Sequence, residues 1–126
     1  MIPKFRAWHK TWEELGEVKR IRFDDEGDVR TVLFRGKILG TDTPIDKIEL
    51  MQSTGLKDKN GKEIFEGDVV KMAKDVYSEP TYYKVVRHRG GAYRLESKKH
   101  GCELWLRHAD CEVVGNVYET KELLDA

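Results

Sequence analysis

Two histidines and two cysteines sit close together between residues 100 and 111, as His100-Gly101-Cys102 and His108-Ala109-Asp110-Cys111. Two thiolates and two imidazoles form a sound tetrahedral set for zinc. The spacing differs from that of zinc fingers and ribbons, and bulky Leu104-Trp105-Leu106 lies between the two pairs. Convergence of His100, Cys102, His108 and Cys111 therefore requires the two cysteines to fall near the ends of neighbouring strands. The alternative is two small apolar thiols in a core and two histidines in surface turns. No disulfide is expected between cysteines of a cytoplasmic chain, and no cofactor is expected.

The second chemical feature is charge. The chain is neutral overall, yet residues 84–108 carry seven Lys/Arg against two acids, and residues 109–126 carry one Lys against five acids. Lys84, Arg87, Arg89, Arg94, Lys98, Lys99 and Arg107 are interleaved with Tyr82, Tyr83, Tyr93 and Trp105. Cations neutralise phosphates and exposed rings stack bases, so a strand face of this kind can bind single-stranded nucleic acid. The competing reading is strand alternation, with charges turned to water and aromatics to the core. The acidic tail could also fold against the basic face or dock on a neighbouring subunit.

A third group is carboxylate. Asp58, Glu63, Glu66 and Asp68 could serve acid–base or metal chemistry if they converged in a desolvated site. They alternate with Lys57, Lys59 and Lys62, the pattern of a solvated loop. Gly90-Gly91 reads as a hairpin turn, not a phosphate cradle between strand and helix. No catalytic residue is assigned, and the chain is expected not to be an enzyme.

The elements that would position these groups are mostly short strands. Residues 4–10 alternate with period two, placing Phe5, Ala7 and His9 on one face and Trp8 on the other. Residues 12–15 suggest a turn, residues 18–23 and 29–34 two further strands, and Asp24 to Asp28 a charged turn between them. Residues 40–44 read as an irregular connection, residues 48–53 as a strand running into a loop at Thr54-Gly55. Asn60-Gly61 marks a tight turn, since these residues tolerate positive φ. Strands follow at 67–72, 82–87, 92–96, 102–106 and 112–118, with turn signals about every ten residues, the spacing of a small barrel or sandwich. Thr120 could cap a short terminal helix over Glu122 to Leu124. The fold class is mainly β, with a smaller N-terminal β part over 1–44 and a second part over 45–126.

Composition sets wider bounds. Charged residues make up 37% and apolar residues 39%, but the net charge is zero and twelve aromatic residues supply core material, which argues for a folded chain. Zero net charge argues against a histone-like binder. No run of about 20 apolar residues is present and the N-terminus is charged from Lys4, so a cytoplasmic protein with no membrane partner is expected.

Three stretches resemble the YopX family of phage and prophage proteins: Lys4-Phe5-Arg6-Ala7-Trp8, the long central run from Ser53 to Val70, and Val113-Val114-Gly115-Asn116-Val117-Tyr118-Glu119. Residues 11–44 and 73–110 match more loosely. The resemblance implies a C-terminal SH3-like β-barrel preceded by a smaller β-containing part, a bacterial host cell, and a homo-oligomer; the expected partner is another protein or a further copy of the chain, with nucleic acid as the alternative. It brings no established activity, and fold does not imply function.

Overall fold

The computed structural model describes residues 4–36, 40–73, 79–88, 91–98 and 100–125. The chain divides into two compact units, residues 1–52 and 53–126. The junction expected at 44/45 falls ahead of a strand, β5 (Ile48–Lys57), that runs from one unit into the other.

The first unit is an antiparallel sheet built from β1 (Phe5–His9), β2 (Glu14–Phe23), β3 (Val29–Arg35), β4 (Thr41–Pro44) and the start of β5, in the order β4-β3-β2-β1-β5. Residues 41–44, expected to be irregular, are a strand because Thr41 to Pro44 pair with Phe34 to Thr31 of β3. β2 begins at Glu14, inside the expected turn, because Glu14 to Glu17 pair with His9 to Arg6 of β1. Ala7, Val32, Phe34 and Ile48 form the core. The Phe34 ring leaves no space for a Cβ at Gly16, whose ideal position is 2.6 Å from the ring edge. His9, on the face predicted from alternation, is buried beneath Trp12. The two rings lie 4.0 Å apart and nearly parallel, and His9 Nδ1 accepts the Trp12 backbone N–H at 3.1 Å.

The second unit opens with the end of β5 and β6 (Glu63–Phe65), paired through Ser53↔Phe65 and Lys57↔Glu63. Thr54 and Gly55, expected in a loop, lie inside β5. Gly55 has φ of 77°, and the register shifts across it, so the glycine forms a bulge rather than ending the strand. The remaining strands are β7 (Asp68–Met72), β8 (Thr81–Arg87), β9 (Tyr93–Glu96), β10 (Gly101–Glu103) and β11 (Glu112–Asn116). They make a five-stranded antiparallel sheet in the order β10-β9-β8-β7-β11. Ile64, Val70, Met72, Tyr83, Val85, Leu95, Leu104 and Cys111 pack on its inner face.

Between β10 and β11 the chain forms a helical turn, α1 (Leu104–Arg107), and then a 3₁₀ turn at His108–Asp110. The strand expected over 102–106 thus stops at Glu103. Leu104 is fully buried, while Trp105 and Leu106 are 63% and 59% exposed. Strand alternation would have put Leu104 and Leu106 on one face, and the helical turn separates them.

The C-terminus folds back after β11. Asn116 is buried, and its Oδ1 accepts the N–H groups of Tyr118 and Glu119 at 2.9 and 3.0 Å. Thr120, expected as a helix cap, stands directly before the final helical turn, where its carbonyl accepts the Leu123 N–H at 3.1 Å, and it donates both its N–H and its hydroxyl to the Asn116 carbonyl, each at 2.9 Å. Its side chain occupies the space that a Cβ at Gly115 would need. The final 3₁₀ turn, Lys121–Asp125, lies beside β7 and β8. On that outer face Val69 is fully buried.

Candidate functional site

Alternation along β8 places the basic segment as expected: Tyr83 and Val85 are buried and Lys84 is exposed. The register then sets the neighbours of each cation. Lys84 stands opposite Glu96, and Arg94 stands opposite both Val86 and Glu103. Arg94 Nη1 meets Glu103 Oε1 at 2.6 Å. Lys71, on the same outer face, lies 3.5 Å from Glu112, and Arg107 lies 3.0 Å from Asp110. Arg87 and Tyr93 are register partners one residue on, and so belong to the other face of the β8–β9 pair. Lys98 is exposed in the β9–β10 turn. Arg89 and Lys99 lie outside the described residues. The candidate cations are therefore spread over two faces and a turn. Those with carboxylate partners have less positive potential to offer a phosphate chain.

The four metal candidates are not assembled as ligands. His100 is exposed, and its carbonyl accepts the Ser97 N–H at 2.8 Å, closing the β9–β10 turn. His108 Nδ1 lies 2.8 Å from the Lys57 carbonyl, and a carbonyl can only accept, so Nδ1 carries the proton there. Cys111 is fully buried and its Sγ donates to the His108 carbonyl at 3.2 Å. Cys102 is half-buried against the same core. Among the described residues, no three His, Cys, Asp or Glu side chains converge so as to hold a metal ion. Convergence required Cys102 and Cys111 near the ends of neighbouring strands, whereas β10 and β11 stand at opposite ends of the sheet order.

Thiol chemistry points the same way. Burial, reinforced by the charge of Asp58, pushes Cys111 up to about 11, and burial raises Cys102 as well. A thiolate is the reactive and ligating form, and these sites disfavour it. In the folded protein at pH 8, Cys111 is expected to react with a disulfide reagent at least about a hundredfold more slowly than a free thiol. Full reaction of both cysteines is expected only after unfolding. Two thiols titrating within minutes in the native protein would contradict this.

The acidic signature residues serve the backbone. Asp58 is 6% exposed. Its Oδ1 accepts the N–H groups of Asn60 and Lys62 at 2.9 and 2.8 Å, and its Oδ2 accepts that of Val113, fifty-five residues away, at 2.9 Å. Burial alone would raise this carboxyl. The three N–H donors of Val113, Lys62 and Asn60, helped by the Lys62 charge, outweigh it and hold the group below the ordinary aspartate value. Lys59 N–H adds a bond to the Cys111 carbonyl at 2.9 Å, so the 58–62 turn is sewn to the approach to β11. Asp68 is 1% exposed and accepts the Phe65 N–H at 2.8 Å, across a turn where Gly67 has φ of 86°.

Sequence reasoning left the exposure of Trp105 open between two readings and missed that of Leu106. The available signal was Arg107 and His108 directly after them, polar residues that fit a turn better than the continuation of an apolar strand. In the first unit, Trp12 and Phe23 are also 47% and 60% exposed.

The family model described as YopX protein matches residues 4–125. This chain belongs to the YopX family. Protein EF1440 of Enterococcus faecalis is similar over 98% of this chain and 99% of its own, at 30% identity and a TM-score of 0.73. Protein yopX of Bacillus subtilis shares the fold over 96% of this chain and 97% of its own, with a TM-score of 0.70 at 21% identity. No curated protein matches. YopX family membership explains the three motifs read from the sequence: the first lies on β1, the second runs from β5 through β6 into β7, and the third covers most of β11 and the turn after it. Among the described residues, no helix is long and apolar enough to cross a membrane.

Proposed function

We propose that this YopX family member is a non-enzymatic interaction module of a phage or prophage, acting in the cytoplasm of a bacterial host and assembling with copies of itself. The observation that carries the reading is Trp105 and Leu106, two consecutive large apolar side chains exposed to water on a turn whose first residue, Leu104, is anchored in the core. Tryptophan is among the residues most often found at the energetic centre of protein interfaces. The carboxylates that could otherwise suggest catalysis, Asp58 and Asp68, are engaged by backbone N–H groups.

An SH3-like description of the second unit is part of this proposal. Its support is the strand path: a meander β7-β8-β9-β10, a helical turn, and a fifth strand returning antiparallel to β7. Interaction modules are often built on small β folds of this kind.

The test is the mass of the protein in solution by light scattering across a concentration series. Wild type is expected to be oligomeric, and the double variant Trp105→Ser/Leu106→Ser to shift toward monomer with its stability within about 0.5 kcal/mol of wild type. A monomeric wild type would end the self-association reading. An oligomer unaffected by the double variant would move the interface elsewhere.

A further inference from the structure

The chain has two asparagines, Asn60 and Asn116. Asn116 is buried, its Oδ1 accepts two backbone N–H groups, and a branched residue, Val117, follows it. Asn60 differs on each count. It is exposed, as are Lys59, Gly61 and Lys62 around it, and the residue that follows has no side chain. A Cβ at Gly61 would meet nothing within 4 Å, so no neighbour crowds the position. The side-chain amide of an asparagine is an electrophile, and the backbone nitrogen after it is a nucleophile within reach. The Gly61 nitrogen gives up its proton to water and bonds to Asn60 Cγ. The Cγ–Nδ2 bond breaks and ammonia leaves, closing a cyclic imide. Water then opens the imide at either carbonyl, giving aspartate or an isoaspartate whose main chain runs through Cβ and Cγ. Water is the only co-reactant. Glycine favours the closure because it brings no Cβ to hinder it.

The fold opposes the same step. The Gly61 N–H donates to the Asp58 carbonyl at 3.0 Å. Asp58 Oδ1 accepts the N–H groups of Asn60 and Lys62, on either side of the reacting peptide, at 2.9 and 2.8 Å. The attacking nitrogen is therefore tied, and the turn must open before it can reach Cγ. We infer that Asn60 is a modification site, poised for spontaneous conversion to aspartate and isoaspartate, and that Asp58 is the residue that restrains it. The consequence reaches β11. An isoaspartate lengthens the main chain inside the turn, so one carboxylate oxygen no longer serves both Asn60 and Lys62. The other oxygen of that carboxylate holds the Val113 N–H at 2.9 Å, and the Lys59 N–H bonds the Cys111 carbonyl at 2.9 Å. Conversion thus loosens the turn from the approach to β11.

The test is incubation of the full-length protein at mildly alkaline pH, with amide-to-acid conversion at Asn60 followed by peptide mass spectrometry and isoaspartate by enzymatic methylation. A synthetic peptide spanning residues 56–64 is the unrestrained reference. The folded protein is expected to convert about tenfold or more slowly than the peptide, since reaction proceeds only from the locally opened turn. Asp58→Ala should raise the rate about fivefold or more. Leu104→Ala, expected to lose comparable stability while keeping the Asp58 bonds, should stay within about twofold of wild type. The converted protein, separated by its extra negative charge, should melt below the unconverted one. Conversion as fast in the folded protein as in the peptide would overturn the restraint, and that comparison needs no variant to fold. Equal acceleration by Asp58→Ala and Leu104→Ala would assign the restraint to global stability and remove Asp58 from it. A peptide that does not convert, or converted protein that melts with the unconverted, would end the case for Asn60.

Discussion

Replacing Asp58 by alanine is expected to lower stability by about 3 kcal/mol, because three backbone N–H groups lose one acceptor and buried donors left unpaired are penalised by roughly 1–3 kcal/mol each. The total lies well below the sum of three such penalties, since the Asn60–Lys62 side of the turn is open to water. A loss of this size should lower the melting temperature by roughly 10 °C in thermal unfolding followed by circular dichroism. Asp58→Asn should fall between wild type and alanine: one oxygen still accepts, but the new NH₂ group can offer the Val113 N–H no lone pair. The acid limb of the stability profile carries the sign. The folded carboxyl titrates below its unfolded value, so its stabilisation is complete above the unfolded pKa, about 3.9, and is lost as pH falls through the lower folded one. Asp58→Ala should therefore differ most from wild type near neutral pH and least at strongly acid pH. Equal stability of the two proteins at pH 7 would show that the 58–62 turn does not need its link to β11.

Leu104→Ala is expected to cost about 3 kcal/mol, within the range for deleting a fully buried leucine from a packed core. Trp105→Ala, one residue further on, should change stability by no more than about 0.5 kcal/mol, since its ring is mostly in water. This contrast tests the helical turn itself. A strand through 104–106 would place Leu104 and Leu106 on the same face, and their alanine variants would then behave alike. Chemical denaturation of the three variants decides between the arrangements: a large loss at Leu104 alone supports the turn, and matched losses at Leu104 and Leu106 would overturn it. The effect is also the structural counterpart of the proposed function, because the same turn that anchors Leu104 is what presents Trp105 and Leu106.

Much of the architecture could be read from local chemistry. Alternation in residues 4–10 placed Ala7 and His9 inward, and both are buried. The Asn60-Gly61 pair marked a turn, and Gly61 has φ of 81° there, with the Gly61 N–H bonded to the Asp58 carbonyl. Alternation in residues 82–87 correctly turned Lys84 to water and Tyr83 and Val85 to the core. Each of these depends on preferences that act over a few residues: the φ that a side chain tolerates, and the side of a strand on which it falls.

The readings that failed depended on partners in other elements of the fold. Residues 41–44 look irregular alone and become a strand because β3 supplies the ladder. The signature carboxylate Asp58 reads as a solvated charge beside lysines, and is buried because Val113, fifty-five residues on, brings it a donor. The pairing of Arg94 with Glu103 follows from the β9–β10 register, which period-two alternation alone leaves open. The sequence by itself determined a mainly β chain of the YopX family, the turn at Asn60-Gly61 and the inward faces of strands such as β1 and β8. Tertiary structure decided that, among the described residues, His100, Cys102, His108 and Cys111 do not come together as a metal-holding set, and that Leu104 points inward while Trp105 and Leu106 meet water. The physical reason is that turn geometry is set by each residue's own sterics, whereas burial and edge pairing are set by whichever distant segment packs against it.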